Sequence, residues 1–475
     1  MADIVIELPE NLKSLETPIR ELLTRVAAAV RSAGVGKAVS YSEIEHDIAA
    51  KTAAVEVGAH EVVLGALEID SERIRVGGER YTRVGRFPAT YRTLAGPVVV
   101  TRGLYRQDGV RNGKTVDVVS LRTGAVANGW LPAAARAMGL LVSLGTPREA
   151  ESAAREMGRL MYSRSSFERI THVVGELYIE TQTDVDAVVR AAEVVPEAAR
   201  SVSVSMDRVS MPMEEPRPRP VGRPKEGAPK RPAARVFRMA YCATLTFHDE
   251  RGEALRTIRH GCMPAGDALL LCMRLADELR GALAKRPDLQ VVVLADGAPE
   301  LWNLLDAAIA TVVGERSVHR LIDEWHLLEK LGAAARVIHD DEAEANERVR
   351  GWHMRLMNSR KASQHILGEL RRSRKRDVSI GAHRPVHEAI TYIENNRDRM
   401  NYADARRLGL PIGSGVVEAT CKSLVAQRMK RAGSRWHDDT GEHILRLRAL
   451  LLSDRWDDAM PVLFESLAVG VRRAA

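Results

Sequence analysis

Four stretches of this 475-residue chain carry acids whose types and surroundings could do chemistry together. In "VVVLADGAPELW", Asp296 follows five apolar residues. An apolar run without alternation predicts a strand buried on both faces, and in an open α/β sheet sites form beyond the carboxyl ends of strands. Gly297 permits a tight turn, and Pro299 suits the first turn of a helix that follows. A turn-forming or capping aspartate reads the same way. In "SVSVSMDRV", Val202, Val204 and Met206 alternate with Ser201, Ser203, Ser205 and Asp207. That predicts a strand packed on its apolar face, with Asp207 on the polar one. In "IGSGVVEATCK", the glycines mark a turn that leaves Glu418 in the first turn of a helix. There a carboxylate suits the helix dipole, and Lys422 can pair with it. In "LIDEWHLLEKL", Asp323 and His326 are spaced for one helical face, as is a helix that packs on Leu321, Trp325 and Leu328.

None of these acids decides the matter alone. Two strand acids and one helix acid that converge across a sheet can hold one or two Mg²⁺ ions, which favour hard oxygen ligands and keep substrate phosphates in their shell. Paired metals suit in-line displacement at a phosphodiester. The charge agrees with such a substrate. The chain has 70 Lys and Arg against 63 Asp and Glu, a net +7, with basic clusters at Arg217 to Arg235, Arg371 to Arg376 and Arg428 to Arg435. Clustered positive charge points to a polyanion such as nucleic acid, although solvated basic faces look alike.

The four cysteines, Cys242, Cys262, Cys272 and Cys421, form no C-x-x-C pair, so neither a zinc knuckle nor a disulfide framework is expected. The first residues lack the pattern of a signal peptide, and no apolar run nears the roughly 18 residues of a membrane span. The expectation is a soluble protein of a reducing cytoplasm, associated with the nucleoid and with no membrane partner.

The elements that must position these acids can be read coarsely. Residues 1–70 read as a helical region, with Ile19, Leu22, Leu23 and Val26 on one face. Residues 71–131 read as short antiparallel strands around a Gly-Gly turn. Residues 132–198 are helical again, and a helix, a Ser-rich break and a second helix from near Ser166 suggest a helix-turn-helix arrangement. Residues 199–325 combine a strand, a hairpin turning at Asp249 to Gly252, and helices about the Val291–Ala295 strand. Within them, residues 214–235 are rich in Pro, Arg and Lys and predict a loop or disordered insertion, either tracking phosphates or merely solvated. Residues 326–409 read as a charged helical insertion. Residues 410–475 return to the site and end in basic helices. The fold class is therefore an α-rich α+β multidomain chain.

The ordered pieces "VSVSMDRV", "VVVLADGAPELW", "LIDEWHLLEKL" and "IGSGVVEATCKSLVAQRMKRAGSRW" resemble the DDE transposases of bacterial insertion sequences, of the ISKra type related to Mutator-like elements. The resemblance runs loosely from about Arg73 and tightly at the four pieces. It implies an RNase H-like catalytic domain interrupted by a helical insertion, which accounts for the 121 residues from 297 to 417. It implies Asp207, Asp296 and Glu418 as the catalytic, metal-holding acids, with Mg²⁺ as cofactor and Mn²⁺ able to substitute. Asp323 and His326 resemble an auxiliary C/D-x-x-H motif. Lys422, Arg428, Lys430, Arg431 and Arg435 would contact phosphates, and Trp436 would stack on a base or pack in a core. The implied partners are double-stranded DNA, as element ends and target, and further copies of the chain in a homodimer or larger assembly. The chain departs from the family pattern at "LYRQDGVRNGKTVDVV", where the absence of cysteine argues against zinc. A non-catalytic, domesticated DNA-binding relative and a structure-specific nuclease on the same fold are the rival readings.

Overall fold

The computed structural model describes residues 5–33, 39–215, 236–377, 379, 381 and 383–474. The basic stretch expected as an insertion lies, from residue 216 to 235, outside the described residues. The chain divides into two compact units, Met1–Asp186 with Trp456–Ala475, and Ala187–Arg455.

The first unit opens with α1 (Glu16–Ala33) and α2 (Tyr41–Ala66), which pack antiparallel. The ion pairs Arg25–Asp47 and Lys51–Glu21, both 2.7 Å, link them. Strands β1 (Arg73–Val76), β2 (Glu79–Arg92), β3 (Pro97–Gln107) and β4 (Thr115–Asp117) form a sheet with antiparallel neighbours throughout. Its fifth strand is Val471–Arg473, which pairs antiparallel with β1. Short α3 (Val118–Thr123) follows, capped by the Asp117 carboxylate. Then come α4 (Pro132–Leu144), α5 (Pro147–Glu156) and α6 (Arg164–Ala192). Thr146 and Glu149 close a reciprocal capping box that starts α5. The expected helix pair is present, but residues 157–163 join its members, a longer link than the three- or four-residue turn of a helix-turn-helix. The face of α6 that carries Phe167, Ile170, Val174 and Tyr178 is buried, as the 3- and 4-residue spacing requires.

One expected boundary is corrected. Residues from Trp456 onward, assigned above to the last domain, belong to this first unit. The cause is strand pairing and packing: Ile74 pairs with Arg473, and the Trp456 ring lies against Gly139.

The second unit is built on a mixed sheet in the order β7-β6-β5-β8-β9. Its strands are β5 (Ser201–Met213), β6 (Val236–His248), β7 (Ala254–Cys262), β8 (Gln290–Ala295) and β9 (Val318–Ile322). The β5–β6 and β6–β7 pairs are antiparallel; β5–β8 and β8–β9 are parallel. The hairpin and the doubly buried β8 stand where the sequence predicts them. The polar face of β5 does not. Ser201, Ser203 and Ser205 are buried, because β5 is the central strand and both its faces are covered. Helices α7 (Ala268–Lys285) and α8 (Pro299–Val313) pack on this sheet, and α9 (Glu324–Ile338) leaves the end of β9. Residues 326–409, expected as a helical insertion, carry most of α9 and then α10 (Glu342–Asn358), α11 (Ala362–Ser373), α12 (Pro385–Asn395) and α13 (Tyr402–Arg407). One apolar cluster runs from β5 and β8 through α7, α8 and α9 into α10 to α13, so the insertion shares the core of the sheet. Finally α14 (Gly415–Thr420) continues through a π-helical turn, Cys421–Ala426, into α15 (Gln427–Met429), and α16 (Asp438–Leu452) follows.

Several buried polar groups in this unit are paired. Arg455 makes a two-pronged contact to Glu278, at 2.7 and 2.9 Å, and reaches Glu193 at 2.8 Å. His248 sits between the Ser203 hydroxyl, 2.8 Å from Nε2, and the Gly252 carbonyl, 3.1 Å from Nδ1. Burial lowers its pKa from 6.5 to about 4. The unfolded chain takes up this proton below about 6.5, the folded chain only below about 4. The contribution of His248 is therefore complete above 6.5 and lost as pH falls toward 4, a swing of about 3 kcal/mol. Glu442 acts in the opposite sense, since burial raises its pKa from 4.5 to about 7. The clean measurement is the stability difference between wild type and His248→Gln. That difference should shrink in urea melts as pH is lowered through this window, and a pH-independent difference would refute the assignment.

Candidate active site

Asp207, Asp296 and Asp323 fall in one row across three adjacent parallel strands. The ladders pair Ser205 with Leu294 and Ala295 with Ile322, and continuing them aligns Asp207 with Asp296 and Asp296 with Asp323. The Asp323 amide confirms the second alignment by donating to the Ala295 carbonyl at 2.9 Å. In-register residues of parallel strands point to the same face, and strands lie about 4.8 Å apart. The row lies at the carboxyl ends of β8 and β9.

Asp296 is held by its own motif. Its Oδ1 accepts from the Ala298 amide at 2.8 Å, and its carbonyl accepts from the Trp302 indole at 2.7 Å. The turn and helix residues of "DGAPELW" thus fix the half-buried aspartate through its Oδ1 and its carbonyl. Gly297 is required by close approach: a Cβ there would lie 2.3 Å from Cε2 of Tyr392, on α12. Gly297→Ala should push the turn and the ring apart, at about 1–3 kcal/mol, and lower any activity that depends on Asp296. Adding Tyr392→Ala should restore much of both. A melting temperature unchanged by Gly297→Ala would count against this packing.

Asp207 pairs across the sheet with Cys242, and the Cys421 thiol lies 3.5 Å from its Oδ2. Burial, and the nearby charge of Asp296, raise the pKa of Asp207. Cys421 is three residues beyond Glu418, so the thiol ties the helix of Glu418 to β5.

Asp323 corrects the reading of its motif. It is not one turn inside a helix; it ends β9 and caps α9, where its Oδ1 accepts from the His326 amide at 3.0 Å. Leu321 belongs to the strand, and Trp325 is exposed rather than packed. Asp323 is fully buried, and its Oδ2 accepts from the Ser414 amide in the turn before Glu418. Burial opposes its charge, but hydrogen bonds from His326 and Ser414 prevail and hold its pKa below the usual carboxylate range. Its Oδ1 also faces Nδ1 of His326 at 3.2 Å. That bond, with Glu418 Oε1 4.0 Å from the same nitrogen, raises the His326 pKa to about 9. At neutral pH this side chain is a cation among acids.

Among the described residues, one group of three His, Cys, Asp or Glu side chains brings its ligand atoms within 4.8 Å of one another: Asp323, His326 and Glu418. The expected trio of Asp207, Asp296 and Glu418 is looser than that. Two like charges repel a third, and the His326 cation draws Glu418 toward itself. Asp323 is fully buried in this group, with its oxygens facing the Ser414 amide and His326. Glu418, half-buried, has its carboxylate accessible.

The expected basic contacts separate. Lys422, Lys430 and Arg435 are exposed, and Arg435 pairs with Glu214 at 3.6 Å. Arg431 is half-buried. Arg428 is buried, with its guanidinium 5.1 Å from the Trp436 ring, so it is not a surface phosphate contact. Trp436 packs against the apolar cluster under α14 and α16 and donates its indole N–H to the Met429 carbonyl at 2.9 Å, which makes it a core residue. Tyr392 went unnoticed in the sequence and Cys421 was read only as an unpaired cysteine, since no periodicity marks a residue that reaches Asp296 or Asp207 from another element.

The fold is thus a mixed α/β architecture with one antiparallel and one mixed sheet, and a row of acids crosses three neighbouring strands of the mixed sheet. No family model matches the chain, and no curated protein matches it. Among solved structures it is similar to the Drosophila P element transposase strand transfer complex, at 11% identity over 66% of this chain and 90% of that one, with a TM-score of 0.33. At that TM-score the likeness defines no family. No helix among the described residues is long and apolar enough to cross a membrane.

Proposed function

We propose that the chain is a metal-dependent DNA transposase whose second unit is an RNase H-like catalytic domain, with Asp207, Asp296 and Glu418 as its metal-holding acids. The observation that supports this most is the alignment of Asp207, midway along β5, with Asp296 at the end of β8, reached by continuing the Ser205–Leu294 ladder, with the helix of Glu418 tied beside them through Cys421. The donor chemistry fits Mg²⁺ or Mn²⁺: all three groups are hard oxygen donors, and Asp207, disfavoured as an anion by burial and by Asp296, gains from a cation. A bound ion would supply Lewis-acid polarisation of a phosphodiester.

The chain's own residues hold the substrate and set the charge. His326, protonated and held by Asp323, balances the acids and keeps Glu418 oriented. Lys422 and Lys430 offer exposed cations for a DNA backbone, a contact that weakens with salt. In cleavage, water forms a bond to phosphorus and the bond to the 3′ oxygen breaks, which leaves a protonated 3′-OH. In joining, that 3′-OH bonds to a target phosphorus and displaces the target's 3′ oxygen. The same acids serve both displacements.

The test uses DNA that carries the gene's own flanking ends, incubated with the protein and Mg²⁺ or Mn²⁺ beside Asp296→Asn. Cleavage and joining that vanish in the variant, with DNA binding kept, are expected. Cutting without joined products would favour a nuclease. Tight binding with no cutting by wild type would favour a non-catalytic DNA-binding protein. Equal cleavage by variant and wild type would remove Asp296 from the site.

A further inference from the structure

The first unit holds a cavity of about 540 Å³, lined by β2, β3, β4, α3, the turn at Ala125–Gly129, two residues of α6, and Leu467. That volume falls in the range of small-molecule sites. Its polar floor is built around Asp117, which is buried. Asp117 Oδ1 accepts from the Tyr91 hydroxyl at 2.7 Å and the Ser120 amide at 2.6 Å, and Oδ2 accepts from Nη1 of Arg102. Arg102 is less well matched. Its Nε is shut off from water and has no acceptor, and among the described residues Nη2 has none either. Nε and Nη2 form one fork of a guanidinium, so Asp117 fixes this side chain while a whole fork stays empty. A buried donor without an acceptor is costly, and the cavity lets an acceptor enter. The rim is constrained too. Val126 and Trp130 exchange both backbone hydrogen bonds at 2.8 Å, and between them Ala127, Asn128 and Gly129 lie at φ 43°, 64° and 99°. β2 holds this turn: the Arg92 amide donates to the Gly129 carbonyl at 2.7 Å, and Arg92 Nη1 to the Asn128 carbonyl at 3.2 Å. Left-handed backbone at Ala and Asn persists only where its surroundings impose it, commonly at ligand sites. Here it sets Asn128 on the cavity wall, its carboxamide without a hydrogen-bond partner among the described residues.

We infer that this cavity binds a small organic carboxylate with a short apolar tail. The two carboxylate oxygens take Nε and Nη2 of Arg102, the planar match that a guanidinium fork offers, and the Asn128 amide adds a donor. Leu104, Val126, Leu177 and Leu467 supply apolar wall for the tail. A single negative charge suits the floor. The Asp117 carboxylate is already satisfied by Tyr91, Ser120 and Arg102, and a phosphate dianion would set two further charges beside it. The acids near Asp296 take no part, so a chain that is inactive on DNA would still bind.

Calorimetric titration of the full chain with isocaproate, its neutral amide and inorganic phosphate provides the test. Wild type is expected to bind isocaproate and saturate below about 1 mM, with the amide and phosphate each weaker by roughly tenfold or more. Arg102→Lys keeps a cation for Asp117 but loses the fork, and Leu177→Trp fills the cavity. Each is expected to weaken isocaproate by roughly tenfold or more, with an unchanged far-UV spectrum. No saturable binding by wild type, amide or phosphate binding as tight as the acid, or binding that either variant keeps overturns the proposal. Should a variant lose its fold, the Arg102 Nε–H resonance of wild type decides. A shift that saturates with isocaproate supports the site, and a resonance that ignores bound isocaproate rejects it.

Discussion

Asp207→Asn is expected to abolish DNA cleavage and joining while it leaves the melting temperature unchanged or raises it. Burial and the charge of Asp296 both disfavour the Asp207 anion. Asparagine keeps the shape and an oxygen for the Arg208 amide, 2.6 Å away in wild type, and it removes the repulsion. The gain should be about 0.5–1 kcal/mol, the range of a relieved local conflict. Catalysis should fall by about 10⁴-fold, as it does when one member of an interdependent catalytic set is removed. The opposite signs are the diagnostic. A structural acid, when replaced, would lower stability and spare activity. Thermal melts and single-turnover cleavage on the same preparation separate the cases, and a destabilised but active variant would refute the metal-site reading of Asp207.

Asp323→Ala should do the reverse on stability and still inactivate. Its carboxylate caps α9, accepts the buried Ser414 amide and faces the His326 cation. Loss of a cap costs about 1 kcal/mol, and an orphaned buried amide about 1–3 kcal/mol more. A total of about 2–4 kcal/mol is expected, comparable to the usual cost when one side of a buried charged contact is removed. The His326 pKa should fall from about 9 toward the ordinary 6.5, which its ring proton resonances report. His326→Gln, which leaves Asp323 its two amide partners, should cost far less stability. Two variants of equal stability would mean that Asp323 is not the post that joins strand, helix and turn.

What could be read in advance follows from where periodicity speaks. β8 and its terminal Asp296 are legible because an apolar run without alternation suits only a doubly covered strand, and α8 because Pro299 opens it. β9 is not, because it is a short edge strand whose His319 and Arg320 break the apolar signal, so Asp323 looked helical when it ends a strand. The serines of β5 misled for a related reason: alternation reports chemistry, and small hydroxyls can be buried when a partner such as His248 waits for them. Trp436, read as stacking on a base or packing in a core, does pack, and Arg428, read as a phosphate contact, is buried beside it. A Lys/Arg-rich helix suggests a DNA surface, but a guanidinium stacked on an indole is as suited to an interior. The approach of Tyr392 to Gly297 joins positions far apart in the chain, and only the folded insertion creates it.

The strand at Val471–Arg473 has a consequence for biogenesis. Its partner β1 is made long before it, yet the edge of that first sheet stays open until residues 471–473 have been translated, after all of Ala187–Arg455. The unit between, Ala187–Arg455, contains all of its own strands and can complete itself first. Folding order then inverts synthesis order for the N-terminal unit, since domains fold as units when their last element emerges. Polypeptides cut short after Arg455 would carry a finished acid row and an unfinished N-terminal unit with a bare strand edge, the kind of surface that quality-control proteases and aggregation both recognise.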